Sequence, residues 1–220
     1  MYKVKFADLR PKMMGSWDGP EWMQADTLEL THYRPEGSWH RPKTSVRLLS
    51  VTDGIFGIFR VEDRYVRSVG THYGDPVYKD SCVEFFVKPK PDKGYFNFEF
   101  NCGGTLLCSY ITDPERTREG FREFVSVPEE EGRLVVISHS LPGVVDPEIA
   151  NSVTWTLEFF IPFELLENYV GSFSNVRGSE WKANFYKCGD ETSHPHWISW
   201  KPVPKLNFHM PECFGTVRFL

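Results

Sequence analysis

The chain has no excess of positive charge: 25 Lys and Arg stand against 30 Asp and Glu, a formal net charge of -5. Without a basic patch there is no electrostatic footprint for nucleic-acid phosphates or anionic membranes, and neither is expected as a partner. Long apolar runs are missing too. No stretch of about 18 apolar residues is present to span a bilayer. The N-terminal MYKVKFADLR also lacks the apolar centre of a secretory signal. As written the chain reads as soluble and unexported, although trimming of a signal would leave the same reading. Cysteines are few and odd in number. Cys82, Cys102, Cys108, Cys188 and Cys213 show neither C-x-x-C nor His/Cys ligand spacing, so buried free thiols are expected and a zinc site is not. Gly-rich phosphate loops, H-E-x-x-H pairs, G-x-S-x-G elbows and Cys/His nucleophile signatures are all absent. Nucleotide chemistry, the common hydrolase designs and any familiar cofactor lose their support.

What is present points to β structure. Of 220 residues 40% are hydrophobic and 15% aromatic, with Phe 18, Tyr 9 and Trp 7, enough to bury one sizeable core. Short runs rich in β-branched and aromatic residues recur: 27–31, 45–49, 55–62, 82–88, 95–101, 105–111, 121–127, 133–141, 153–161, 181–186 and 216–219. Gly, Pro, Asp and Asn close most of them. About eleven strands with one short helix, Phe163 to Tyr169 after Pro162, predict an all-β antiparallel sandwich of immunoglobulin or jelly-roll type. No repeat, linker or composition shift divides the chain, so one domain over 1–220 is expected.

The chemistry-bearing candidates are scattered. Glu84 and Glu99 lie in strand runs whose alternation places each opposite its apolar neighbours, where a glycosidase pair or merely solvated carboxylates would stand. His194-Pro195-His196 resembles half of a metal site without an evident third ligand. Asp53, Asp63 and Asp80 at strand ends are candidates for structural calcium, and turn chemistry explains them equally well. Met13-Met14 and His209-Met210 offer axial ligands for a haem-binding alternative. Aromatic residues concentrate towards the C-terminus, at 181–186, 197–200 and 208–214. Rings beside polar groups suit the faces and hydroxyls of a sugar, while Trp181, Phe185, Trp200 and Phe214 are expected to be core.

The segment Tyr78-Lys79-Asp80-Ser81-Cys82-Val83-Glu84-Phe85-Phe86, followed by Tyr95 to Asn101, resembles the family 9 carbohydrate-binding modules and family 9-like sandwich domains. Val153 to Pro162 (VTWTLEFFIP), Lys182 to Tyr186, Ile198-Ser199-Trp200, Pro211 and Phe214-Gly215 continue the likeness in order. It covers about Trp22 to Leu220. The resemblance implies non-catalytic carbohydrate binding, a terminal sugar clamped between two rings with polar side chains around it, in a setting of polysaccharide breakdown. Carried across, the rings fall on Tyr78 and Phe208, where the family has tryptophans. The polar positions fall on Glu84, Asn97 or Glu99, Tyr186 and Lys205, the last two replacing amides. An oligo- or polysaccharide is then the expected ligand, with a glycoside hydrolase as possible associate. The alternative reading is that the chain is itself such a hydrolase, working through a Glu pair.

Overall fold

Residues 82–88, CVEFFVK, alternate strictly: Val83, Phe85 and Val87 enter the main core, while Cys82, Glu84 and Phe86 face the other way. Residues 95–101, YFNFEFN, do the same with Phe96, Phe98 and Phe100 inward. Such period-2 patterning forces a pleated strand whose every second side chain shares one face. The computed structural model describes residues 1–118 and 120–220. Its strands are β1 (Tyr2–Phe6), β2 (Leu28–Leu30), β3 (His32–Tyr33), β4 (Lys43–Val51), β5 (Gly54–Asp63) and β6 (Val66–Ser68). They continue with β7 (Cys82–Lys88), β8 (Tyr95–Asn101), β9 (Leu106–Thr117), β10 (Gly120–Ser126), β11 (Val136–His139) and β12 (Val145–Ile149). The last are β13 (Val153–Pro162), β14 (Glu180–Cys188), β15 (Trp197–Ser199) and β16 (Gly215–Phe219). Two helices join them, α1 (Glu129–Gly132) and α2 (Phe163–Val170).

These strands form a β-sandwich. One layer runs β10-β9-β8-β7-β14-β16 and the other β4-β5-β13-β11. The first strand belongs to both: Tyr2 to Val4 pair in parallel with β16, and Lys5 and Phe6 pair in parallel with β4. Aromatic rings fill the space between the layers. Phe159 of β13 stacks on Phe85 at 5.8 Å and on Phe100 at 5.3 Å, and Phe59 of β5 meets Phe185 of β14 at 6.2 Å. Room for Phe159 is made by Gly57 on β5, where an added Cβ would come within 2.1 Å of the ring. Gly57→Ala is therefore expected to destabilise the fold by about 1–3 kcal/mol through overpacking, measured by urea denaturation.

Eleven of the sixteen strands correspond to runs read from sequence, with β7 and β8 matching to the residue. The five additions are β1, β3, β6, β12 and β15. All five have five residues or fewer, too short for alternation to stand out, and β12 carries Pro147, which ordinarily argues against a ladder position. The helix expected after Pro162 is α2, one residue longer; its Leu165 and Leu166 are fully buried. Trp181, Phe185 and Phe214 are buried as expected, whereas Trp200 is only partly so.

Candidate functional site

The outward face of β14-β7-β8-β9 is the floor of an open cleft of about 780 Å³. Register sets the floor in rows. Tyr186 pairs with Glu84, Glu84 with Glu99, and Glu99 with Leu107, four neighbours across four strands. Because they share one pleat parity, all four side chains leave the same face. Walls rise on three sides: Tyr78 from a single 3-10 turn at 77–79, Phe121 and Phe124 from the β9–β10 hairpin, and residues 205–209 ahead of β16.

Glu84 and Glu99 occupy the expected face, but that face is not solvated there. They are 2% and 4% exposed. Each has one oxygen satisfied: Glu84 Oε1 accepts the Cys188 thiol at 3.1 Å, and Glu99 Oε1 accepts Asn97 Nδ2 at 2.7 Å. The second oxygen of each, Oε2, is buried without a hydrogen-bond partner. Burial pushes both acids up. Nearby Cys188 and the neighbouring Glu99 push Glu84 further, while Glu99 rises from its ordinary 4.5 to about 7 despite the Asn97 hydrogen bond. Asn97 is held at both ends of its amide, since its carbonyl also accepts Ser109 N at 2.8 Å. The folded chain thus holds the Glu99 proton above the ordinary range and binds more protons than the unfolded chain between about pH 4.5 and about pH 7, so this contribution to stability declines as pH rises through that window. Glu99→Gln, which cannot ionise, is expected to gain on the parent by about 2–3 kcal/mol between about pH 5 and about pH 8, read from urea midpoints across that range.

The transferred ring and rim positions come together unevenly. Tyr78 is 38% exposed and stands free at the cleft edge. Phe208 also lines the cleft, with its ring stacked on Tyr186 at 4.0 Å and 14°. Lys205 is exposed at the rim. The expectation for Tyr186 needs correction. Its side chain is 0% exposed beneath Phe208, and its hydroxyl donates to the Phe208 carbonyl at 3.0 Å. It supports the wall and has no free hydrogen-bonding edge toward the cleft.

The calcium candidates do not assemble. Asp53 lies in the β4–β5 turn, paired with Arg10 at 2.8 Å. Asp80 accepts Val69 N and Gly70 N at 2.9 Å and Asn101 Nδ2 at 3.0 Å, fastening the loop that carries Tyr78. All three donors fall on Oδ2; Oδ1 accepts no hydrogen bond and faces the Arg67 guanidinium, whose Nε lies 3.8 Å away, so a protein cation already stands beside it. Asp63 lies in the layer interface, 2.7 Å from His40 Nε2, 3.1 Å from Trp155 Nε1 and 3.4 Å from Lys187 Nζ. Burial works to raise this carboxyl, but Lys187 and the two hydrogen bonds outweigh it and hold it below the carboxylate range.

His196 belongs to this cluster, and its proline-separated neighbour does not. Ligand atoms of His40, Asp63 and His196 lie within 4.8 Å of one another. Lys187 Nζ sits among them, 2.6 Å from His196 Nε2, so a protein ammonium takes the cation position. His194 instead stacks on Tyr65 at 3.6 Å. The haem alternative loses its geometry as well: Met13 packs beside Trp17 and Trp22, whereas His209 shares a hydrogen bond with Tyr95 at 2.9 Å in a different cluster.

Several cleft residues carried no sequence signal as site residues. Asp190 is one; it lines the cleft next to Cys188 and accepts at 2.7 Å from Nε1 of Trp197, a ring of the 197–200 aromatic run. Phe121, Phe124 and Arg116 arrive on the outer half of a long hairpin with no motif of its own. His209, read only as a haem ligand, lines the cleft, and desolvation draws its imidazole down to about 3, leaving it neutral. Cys82, Glu84 and Cys188 also meet, their ligand atoms within 4.8 Å, because Cys82 and Cys188 are cross-strand partners.

A family model for carbohydrate-binding family 9 matches residues 21–219. No curated protein matches the chain. Among solved structures, a candidate carbohydrate-binding protein from Bacteroides uniformis ATCC 8492 superposes with a TM-score of 0.85 at 29% identity, over 99% of this chain and 98% of that one. A family 9 carbohydrate-binding module from Caldicellulosiruptor kristjanssonii in complex with glucose gives 0.66 at 11% identity, covering 99% and 95%. Its complex with cellotriose gives 0.62 at 12% identity, covering 99% and 92%. With the model spanning nearly its whole length, this chain belongs to carbohydrate-binding family 9.

Proposed function

We propose that the chain binds the end of an oligo- or polysaccharide in the cleft above β7 and β8, without cleaving it. One observation carries this reading. Two buried carboxyl groups each keep an unpartnered oxygen in an open cleft whose lining also includes the rings of Tyr78 and Phe208. Unsatisfied buried acceptors are costly, and vicinal hydroxyls are the donors that satisfy them in pairs. Apolar ring faces in the same lining suit the apolar faces of a pyranose. Tyr78 and Phe208 stack on the sugar, Glu84 and Glu99 take its hydroxyls, and Lys205 closes the rim. Asn97 holds Glu99, and Tyr186 backs Phe208.

The same acids bear on the hydrolase alternative. A glycosidase needs two carboxyls flanking the scissile bond. Glu84 and Glu99 are direct cross-strand neighbours rising from one floor, so both approach a bound sugar from the same side. This favours binding without turnover, and association with a polysaccharide-degrading enzyme is the setting we infer for it. A glycan screen on the intact chain, with calorimetric follow-up and an assay for released reducing ends, tests both readings. The expected result is binding without release. Release that is lost in Glu84→Gln would replace the binding reading with the hydrolase one.

A further inference from the structure

We propose that the cleft prefers an amine-bearing sugar, a hexosamine with a free ammonium placed over the Glu84–Glu99 pair. This rests on the sugar-binding reading above and adds the chemical class of the ligand. The floor is acidic without an internal counter-charge. Glu84, Glu99 and Asp190 all line it, and their neighbours from below and beside are the thiols of Cys82 and Cys188, the amide of Asn97 and the indole of Trp197. Among the described residues, the bases lining the cleft are Arg116, Lys205 and His209. Arg116 and Lys205 are exposed at the rim, with Arg116 lying over the Phe121 ring at 4.0 Å; its charge draws Glu99 down, but less than burial raises it. His209 is neutral and bonded to Tyr95. Among the described residues, no ion pair joins any of the three to a floor acid, and both Oε2 atoms are unpartnered.

A neutral sugar supplies hydroxyl donors but no charge. Two adjacent buried carboxyls then cannot both ionise, and one of them keeps a proton. An ammonium supplies three donors and one positive charge at the same point, so it satisfies both orphan oxygens and favours release of a proton from the pair to solvent, leaving a carboxylate to pair with it. The ring faces of Tyr78 and Phe208 add attraction for a cation beside them. N-acetylation would remove the charge and add bulk.

The test uses three β-1,4-linked trimers that differ only at C2: glucosamine, glucose (cellotriose) and N-acetylglucosamine. Each is titrated calorimetrically into the intact chain at about pH 6, where the amine is protonated. The glucosamine trimer is expected to bind at least about tenfold more tightly than cellotriose, and the acetylated trimer more weakly than the free amine. Glu84→Gln and Glu99→Gln are expected to narrow the ratio of glucosamine to glucose affinity, whatever loss the two ligands share. Cellotriose binding equal to or tighter than the glucosamine trimer would overturn the preference and leave the sugar reading standing. No binding by any of the three would overturn the preference, and no binding across the glycan screen would overturn the sugar reading with it. The comparison on the parent chain stands whether or not the variants fold.

Discussion

Lys187→Met is expected to destabilise the fold by about 3–5 kcal/mol, the cost of stranding a buried carboxylate after removing its cation. Lys187 and Asp63 are both fully buried, 3.4 Å apart, and the ammonium also donates to His196 Nε2 at 2.6 Å and to the Cys188 carbonyl at 2.9 Å. Methionine keeps most of the volume and removes the charge and all three donors. Asp63 would then retain His40, Trp155 and the Arg64 amide, which partly satisfy its oxygens without neutralising it. Adding Asp63→Asn to the variant should recover part of the loss, because the uncompensated charge goes with it. Urea denaturation of the parent, both single variants and the double variant measures the coupling. A loss below about 1 kcal/mol for Lys187→Met would mean that water reaches Asp63 and the cluster is not sealed.

The cleft should respond as sharply to loss of its rings. Tyr78→Ala and Phe208→Ala are each expected to weaken sugar binding by about 2 kcal/mol, near thirtyfold, with little residual binding in the double variant. Their effects on the fold should differ. Tyr78 stands on a one-turn helix with its ring 38% exposed, so its removal should leave the melting temperature nearly unchanged. Phe208 covers the ring of Tyr186 at 4.0 Å, so Phe208→Ala should lower it by a few degrees, roughly the effect of losing 1 kcal/mol of packing. Calorimetric titration with thermal melts separates the two contributions.

The floor of this site was legible in the sequence because β7 and β8 alternate so strictly. Val83, Phe85 and Val87 must be inward, hence Glu84 outward; Phe96, Phe98 and Phe100 fix Asn97 and Glu99 in the same way. What alternation does not report is what lies above that face. The acids are buried because hairpin β9–β10 and residues 205–209 rise around them, and these walls meet the floor only through tertiary packing. For the same reason Asp190 carried no signal, and Trp197 was legible only as one ring of the 197–200 aromatic run: their meeting depends on the turn between β14 and β15. Tyr186 shows the converse. Position marked it as polar rim, but a ring stacked under Phe208 with its hydroxyl bonded to backbone serves as support. Aspartates at strand ends are ambiguous by nature, since N–H groups and cations compete for the same oxygens. Here Asp63 and Asp80 went to N–H donors.

The central claim is that sugar binds over Glu84 and Glu99 and nowhere else on the surface. A second aromatic patch, where Trp39 is 66% exposed beside Tyr65 and His194, makes that claim testable against a specific rival. Amide hydrogen exchange of the intact chain, with and without a sugar identified by the glycan screen, is the most direct measurement. Sugar bound in the cleft is expected to slow exchange in segments 77–80, 116–118, 120–124 and 205–209, the walls of the cleft. Slowed exchange at 38–41, 64–66 and 193–197 with the cleft segments unchanged would contradict it.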